Sequence, residues 1–258
     1  MRRSAASSTA RRVGGARIGS AMRVSILAAS MPPLPRIDPT RLPGQCESCR
    51  RWTRGRLCGD CGPRTSATRC LGCGLRLATD DAHCGACMAH PLPLQRCHCA
   101  VDYRAPWDQL IVQFKYHGAV DLAAALAARL ADAVPAADAA TVDLVLPIPL
   151  SRQRLAQRGY NQAWELARRV ARRHRRRADA HLLQRPLERD PQAGLDRAER
   201  RRNLRGVFAV PQPQRVAGRH LALVDDVMTT GATLAEAAQT LHDAGAASVQ
   251  AWVLARTP

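Results

Sequence analysis

The sequence predicts an α/β protein: a mostly parallel sheet flanked by helices, with a small cysteine-rich, zinc-ribbon-like module ahead of it. Three observations predict it. First, the apolar run Leu221 to Val224 stops at two adjacent acids and a hydroxyl-rich turn. Apolar residues then recur at Leu234, Ala237, Ala238 and Leu241 before Gly245 and a second apolar run, Val249 to Leu254. Continuous apolar runs mark strands buried on both faces, and the one-sided recurrence between them is helical, so this is a strand, loop, helix, strand unit. Second, a short core strand, Asp143 to Leu146, is cut off by Pro147 and Pro149, which cannot donate ladder hydrogen bonds. Third, eight of the ten cysteines fall into four Cys-x-x-Cys pairs.

A chain of 258 residues is long enough for one full α/β core plus an appendage. Its formal charge of +18 calls for a polyanionic partner, nucleic acid first, and says nothing of fold. All but one of the 39 basic residues are arginine, a bias that looks like GC-rich coding and weakens any argument from arginine alone. No stretch approaches the ~20 consecutive apolar residues that cross a bilayer, so no integral membrane segment is expected. The chain reads as cytoplasmic.

Along the chain, residues 1–41 form a basic leader with six arginines by Arg23 and no acid before Asp38. Its apolar piece, Val24 to Ala29, is shorter than the ~7 to 15 residues of a signal-peptide core. The leader is expected to be a disordered arm or the product of a start placed too far upstream, with Met22 or Met31 as later candidates. Residues 42–100 are the cysteine module. Cys46 with Cys49, Cys58 with Cys61, Cys70 with Cys73, and Cys84 with Cys87 are the metal ligands, because a two-residue gap lets both thiolates of a turn converge on one ion. Sequential and interleaved sharing of an ion both satisfy the spacing. Four thiolates leave Zn2+ no open position, so the metal is structural, and its removal is expected to unfold residues 46–87 while the rest stays compact. In the segment Cys97-His98-Cys99 the cysteines read as small buried residues.

Residues 101–258 form the main domain. Trp107, Leu110, Ile111 and Phe114 recur at helical spacing and predict a helix ending near Gly118. Lys115 follows its last apolar contact and is the chain's single lysine. Leu122 to Val134 is an Ala-rich helix, and Val134 to Thr141 reads as a connection. Ser151 to Gln162, carrying Arg152, Arg154 and Arg158 before Gly159, has the composition of a mobile loop able to close on an anion. Asn161 caps the next helix, whose apolar face is Ala163, Leu166, Ala167 and Val170. That helix's far end carries Arg168, Arg169, Arg172, Arg173, Arg175 and Arg176, the candidate nucleic-acid contacts. Ser151 to His220 holds 19 arginines against six acids. This places most of the excess charge beside the proposed site, where it suits sequence-independent backbone contacts to DNA.

The segment Asp225 to Thr233 holds the chemistry. Ligands of such units sit at the carboxyl edge of the sheet, where loop amides and a helix N-terminus present positive partial charge to phosphate. Thr229, Thr230 and Thr233 add hydroxyl donors, and Gly231 lets the backbone approach. Ionised Asp225 and Asp226 only accept hydrogen bonds, which vicinal sugar hydroxyls donate. A ribose 5-phosphate fits both halves.

The run of two acids followed by TTGAT after an apolar strand resembles the PRPP loop of type I phosphoribosyltransferases. Asp143 to Arg168, Gln192 to Phe208 and Phe114 to Gly118 are similar to further signatures of the competence protein ComF (ComFC) family, and the match extends from about Cys46 to the C-terminus. The resemblance implies a type I phosphoribosyltransferase-like fold. It places Asp225 and Asp226 at the ribose-diol, catalytic positions. Val227, Met228, Thr229, Thr230, Gly231, Ala232 and Thr233 fall on the 5-phosphate loop, with Lys115, Arg154 and Arg158 toward pyrophosphate. It implies Mg2+ accompanying PRPP, binding of PRPP or a nucleotide and of single-stranded DNA during natural transformation, and a helicase of the uptake machinery as partner. The alternative is an active transferase joining the ribose 5-phosphate of PRPP to an unknown acceptor.

Overall fold

The computed structural model describes residues 43–61, 68–186 and 206–258. The leader and the greater part of the Gln192 to Phe208 signature lie outside the described residues. Ile37 to Pro258 forms one compact unit.

Five parallel strands make the central sheet: β3 (Arg96–Asp102), β4 (Leu144–Pro147), β5 (Arg177–Ala178), β6 (His220–Met228) and β7 (Ser248–Arg256), in spatial order β3, β7, β6, β4, β5. The two central strands have apolar centres, as burial on both faces requires: Leu221 to Val224 and Val249 to Ala255, apart from Gln250, are apolar and sealed from solvent. Alternation then sorts their side chains into two cores. On one face Ala222, Val224, Trp252 and Leu254 pack against α2 (Trp107–Tyr116), α3 (Leu122–Ala133) and α6 (Gln162–Arg173). On the other, Leu221, Leu223, Ala251 and Val253 share a core with α7 (Ala232–Asp243) and four cysteines, Cys70, Cys73, Cys87 and Cys97.

The predicted strand, loop, helix, strand unit is present as β6, Thr229 to Gly231, α7 and β7. Its helix buries Leu234, Ala237, Ala238 and Leu241, and Gly245 follows at φ +91°. The apolar face of α2 and the Asn161 cap of α6 are also as expected: Asn161 Oδ1 accepts from the Trp164 amide at 3.3 Å. Two segments differ. The expected mobile loop is helix α5 (Arg152–Arg158), because Ser151 caps it by accepting from the Arg154 amide, and Gly159 closes it in the left-handed region at φ +76°. The expected connection after α3 contains a one-turn helix, α4 (Ala136–Ala140), which starts after Pro135.

In the cysteine region, β1 (Pro43–Gln45) and β2 (Trp52–Arg54) pair antiparallel, and a short helix, α1 (Gly85–Ala89), holds the last pair. The first half sits on α3: Arg129 donates to the carbonyls of Cys58 and Gly59, both at 3.3 Å, and Arg56 pairs with Asp121. The second half merges with the sheet. Cys70, Cys73 and Cys87 share the second core with Met228 and Leu234, and the Cys97 amide donates to the Leu71 carbonyl at 2.7 Å. Strand β3 crosses residue 100, carrying Cys97 and Cys99 into the sheet as buried small residues.

Candidate functional site

Where a parallel sheet sends successive crossovers to opposite sides, the strand ends splay into a crevice. Here β4 leads through α5 and α6 to the outer strand β5, while β6 leads through α7 to β7 on the other side. The crevice lies between the carboxyl ends of β4 and β6, where the Ile148 amide donates to the Val224 carbonyl at 2.9 Å. The acid pair sits beside it, near the carboxyl end of β6.

Asp225 and Asp226 are consecutive in an extended strand, so their side chains leave opposite faces. Asp226, 8% exposed, faces α2, where Lys115 Nζ lies 2.9 Å from its Oδ1. Asp225 accepts from the Asp226 amide at 2.9 Å. Burial first, then the Asp226 charge, push the Asp225 carboxyl up to about 7, with Lys115 and that amide opposing. Two carboxylates thus share one strand end with a single ammonium: Asp226 is paired with Lys115, and the Asp225 carboxyl is held near its half-protonated point at neutral pH.

The loop that follows is split between core and surface. Met228 and Val227 turn their side chains into the cores, so only their backbone can meet a ligand. Thr229 is exposed. Thr230 Oγ1 accepts from the Ala232 amide at 3.3 Å, which engages one of the donors that a helix N-terminus leaves open. Gly231 stands at φ +80°, and a Cβ there would lie 2.5 Å from Met228 Cε and 3.0 Å from Leu92 Cδ1. The left-handed backbone is what calls for glycine here, and a side chain would in addition have to displace the Met228 methyl. Thr233 is half-buried in the first turn of α7.

Lys115, Arg154 and Arg158, singled out separately in the sequence, meet in one cavity of about 460 Å3 together with Tyr116 and Gln157. Helix α5 supplies the arginines and the last turn of α2 supplies Lys115 and Tyr116. Buried Gln162, 1% exposed, ties them: it accepts from Arg158 Nη1 at 3.0 Å and donates to the Lys115 carbonyl at 3.3 Å. Sequence reasoning passed over Tyr116, Gln157 and Gln162. The signal for Gln162 was its place directly after the Asn161 cap, where a side chain reaches back over the preceding turn.

The arginine cluster is elsewhere. Helix α6 returns antiparallel to the strands, and its 12 residues span about 18 Å. Its last turn therefore lies by the amino edge, where Arg177 opens β5 beside Leu144 at the start of β4. The expectation that most of the basic charge flanks the acid pair is corrected by this topology for Arg172, Arg173, Arg175 and Arg176. Several of these arginines also have acidic partners. Arg168 and Arg169 both bind Glu165, which holds that carboxyl below its ordinary range against the effect of burial, and Arg173 pairs with Asp132 at 2.6 Å. Arg172 and Arg175 are exposed.

The cysteines gather as two sequential tetrads, Cys46, Cys49, Cys58, Cys61 and Cys70, Cys73, Cys84, Cys87, with the four sulfurs of each within 4.8 Å of one another. Cys49 and Cys58 sulfurs are 3.6 Å apart, Cys73 and Cys84 sulfurs 3.7 Å. Tetrahedral Zn2+ with bonds of about 2.3 Å sets sulfurs roughly 3.8 Å apart, so both tetrads fit the ion. Amides point at the sulfurs, Cys58 N to Cys46 Sγ at 3.4 Å and Cys84 N to Cys70 Sγ at 3.2 Å. Burial raises the Cys46 thiol, but these and neighbouring amide donors outweigh it and bring it down to about 6. Each tetrad can hold one structural zinc.

A family model described as the phosphoribosyl transferase domain matches residues 117–258, which includes the acid pair, the threonine loop and both crossovers. The chain belongs to this phosphoribosyltransferase family. Within it the kinship is with the ComF group. The chain is 36% identical over 228 residues to the DNA utilization protein YhgH of Escherichia coli O6:H1, covering 84% of this chain and 98% of that one. It is 31% identical over 221 residues to Competence protein F of Haemophilus influenzae, covering 82% and 96%, and 28% identical over 218 residues to Competence protein ComFC of Bacillus subtilis, covering 82% and 84%. The phosphoribosyltransferase match starts just after Lys115, so the lysine that pairs with Asp226 lies on α2, ahead of the matched residues. Among the described residues no helix is long and apolar enough to cross a membrane.

Proposed function

We propose that the chain binds PRPP or a related ribose 5-phosphate ligand at the β6 to α7 loop, binds single-stranded DNA through its basic surface, and serves DNA uptake. The observation that carries the first part is the Lys115 to Asp226 pair at 2.9 Å beside a threonine loop at the carboxyl edge. It sets acceptor oxygens for a diol next to helix-terminal amides for a phosphate. Lys115, Arg154 and Arg158 supply positive charge for pyrophosphate, with Mg2+ offsetting the rest. The names of the relatives, DNA utilization protein and competence protein, support a competence-associated role. Cytoplasmic DNA handling beside a helicase is the setting that the family resemblance suggests.

Thermal shift with PRPP and Mg2+ tests the first part, since a ligand that binds only the folded state raises its apparent stability. At 100 times Kd the gain is about 2.7 kcal/mol. Asp225→Asn with Asp226→Asn should abolish that gain and leave oligonucleotide binding mostly intact. A folded double variant that keeps its PRPP response, or that loses DNA binding equally, refutes the two-site reading.

The raised Asp225 carboxyl favours a second reading, transfer of the ribose 5-phosphate to an acceptor. A carboxyl titrating near 7 is matched to taking a proton from an attacking group at neutral pH. Pyrophosphate release from PRPP in a panel of acceptors, absent in Asp225→Asn, is its test.

A further inference from the structure

Only 3% of the residues are aromatic, yet one of them stands out of the protein at the mouth of the Lys115 cavity. Tyr116, the last residue of α2, is 63% exposed. Its ring is nonetheless held. The Arg158 guanidinium lies 5.0 Å from the ring centroid and donates through Nη2 to the phenol oxygen at 3.3 Å. Arg158 is fixed in turn by Gln162, whose other end grips the Lys115 carbonyl. The Arg158 cation lies over the ring while most of the residue stays open to solvent.

We propose that the outer face of Tyr116 is a stacking platform for a nucleobase, with Arg154 and Arg158 taking the phosphate attached to it. This deepens the nucleic-acid reading above and rests on it. An aromatic face accepts any base, because every base offers a π surface, and each base so stacked contributes about 1–3 kcal/mol. A guanidinium on the far face strengthens the arrangement by polarising the ring and by immobilising it beforehand, so that less side-chain freedom is lost on binding. The cavity suits the attached phosphate: no acid lines it, and although Lys115 pairs with Asp226, Arg154 and Arg158 make no ion pair among the described residues. Arg158 also lies near enough to Asp225 to lower its carboxyl, so platform and acid pair share one field. A nucleotide seated here has its base on Tyr116 and its phosphate on α5. The far arginines at the end of α6 would meet other phosphates of a longer strand.

The test uses the full-length protein with two fluorescent oligonucleotides of equal length, oligo(dT) and a wholly abasic strand carrying the same phosphates. The wild-type chain should bind oligo(dT) about 5- to 150-fold more tightly than the abasic strand, the span that one stacked base supplies. Tyr116→Ala should erase that difference and leave abasic binding unchanged. Tyr116→Trp should retain it. Because the side chain is exposed, the unliganded melting temperature of each variant should stay within about 2 °C of wild type. Equal binding of the two strands by wild type, or an unchanged preference in Tyr116→Ala, overturns the platform while leaving DNA binding in place. Failure to bind either strand overturns both the platform and the DNA reading. A dTMP arm separates the sources: competition by millimolar dTMP that is lost in Tyr116→Ala assigns the platform to free nucleotides as well as to strands, and its absence restricts it to strands.

Discussion

Lys115 is the residue on which the electrostatics of the crevice turn. Its ammonium, 15% exposed, neutralises one of two adjacent acids that would otherwise share a nearly closed strand end. Removing one partner of such a pair leaves an uncompensated charge, a loss of about 3–5 kcal/mol, whereas replacing both by apolar groups can be neutral. Lys115→Met should therefore destabilise by about 3 kcal/mol in urea denaturation, and Lys115→Met with Asp226→Leu should recover most of it. Asp225 makes the pH prediction. Its folded carboxyl titrates near 7, above the ordinary value of 3.8. Between those values the folded state keeps a proton that the unfolded state has lost, so this group's contribution to stability declines as pH rises from about 4 to 7 and is level above. Asp225→Asn should accordingly gain on wild type across that window, by on the order of 2 kcal/mol, with the two parallel below pH 4. Ligand binding has the opposite sign: a diol donates more strongly to the ionised acid than to the protonated one, so PRPP-dependent stabilisation should grow from pH 6 to pH 8. Neither effect could be seen in the sequence. Two adjacent acids were legible there, but their unequal environments depend on Lys115, which is more than a hundred residues away.

At the level of elements, the β6 to α7 unit was legible because its signals are local. Continuous apolar strands, a helical period and a closing glycine all lie within one stretch, and Gly231 is fixed by conditions inside that unit plus one neighbour, Leu92. Gly231→Ala tests it. Left-handed backbone costs a non-glycine residue about 1–2 kcal/mol, and the added methyl must displace Met228 or Leu92. We expect a loss of about 2–3 kcal/mol together with loss of the PRPP response. Helix α5 was misread for an equally local reason. Its charged residues exclude an apolar face, and none of its side chains is buried. Caps define it instead, Ser151 at one end and Gly159 at the other, and a cap is decided by backbone geometry more than by composition. The direction of α6 was not legible at all. That Arg172 to Arg176 lie away from the acids follows from strand order, which no short window contains. Replacing Arg172 and Arg175 with Ala should shallow the salt dependence of oligonucleotide affinity by about one to two phosphate equivalents, leaving PRPP binding unaltered, as read by titration at several salt concentrations.

For the whole molecule, the pairing of the cysteines was open in sequence and is settled by folding: a hairpin closes the first tetrad and the turn from Arg69 to Arg76 the second. The two tetrads have different attachments. The first rests on α3 through Arg129 and Arg56. The second is continuous with the core beneath the phosphate loop, so the expectation that chelation leaves the remainder intact applies to the first tetrad alone. Cys46→Ser should raise protease sensitivity around residues 43–61 and leave PRPP stabilisation in place. Cys70→Ser should lower the melting temperature of the whole unit and weaken PRPP binding, although no cysteine touches the ligand site.

The same joint gives weight to residues at the very end of the chain. Arg256 donates to the Cys73 carbonyl at 3.1 Å and reaches toward the Met228 carbonyl at 3.5 Å, while the Thr257 amide donates to that Met228 oxygen at 3.1 Å. These contacts bolt the turn carrying Cys73 to the start of the loop between β6 and α7. Replacing Arg256 with Ala would slacken a loop whose own sequence is untouched.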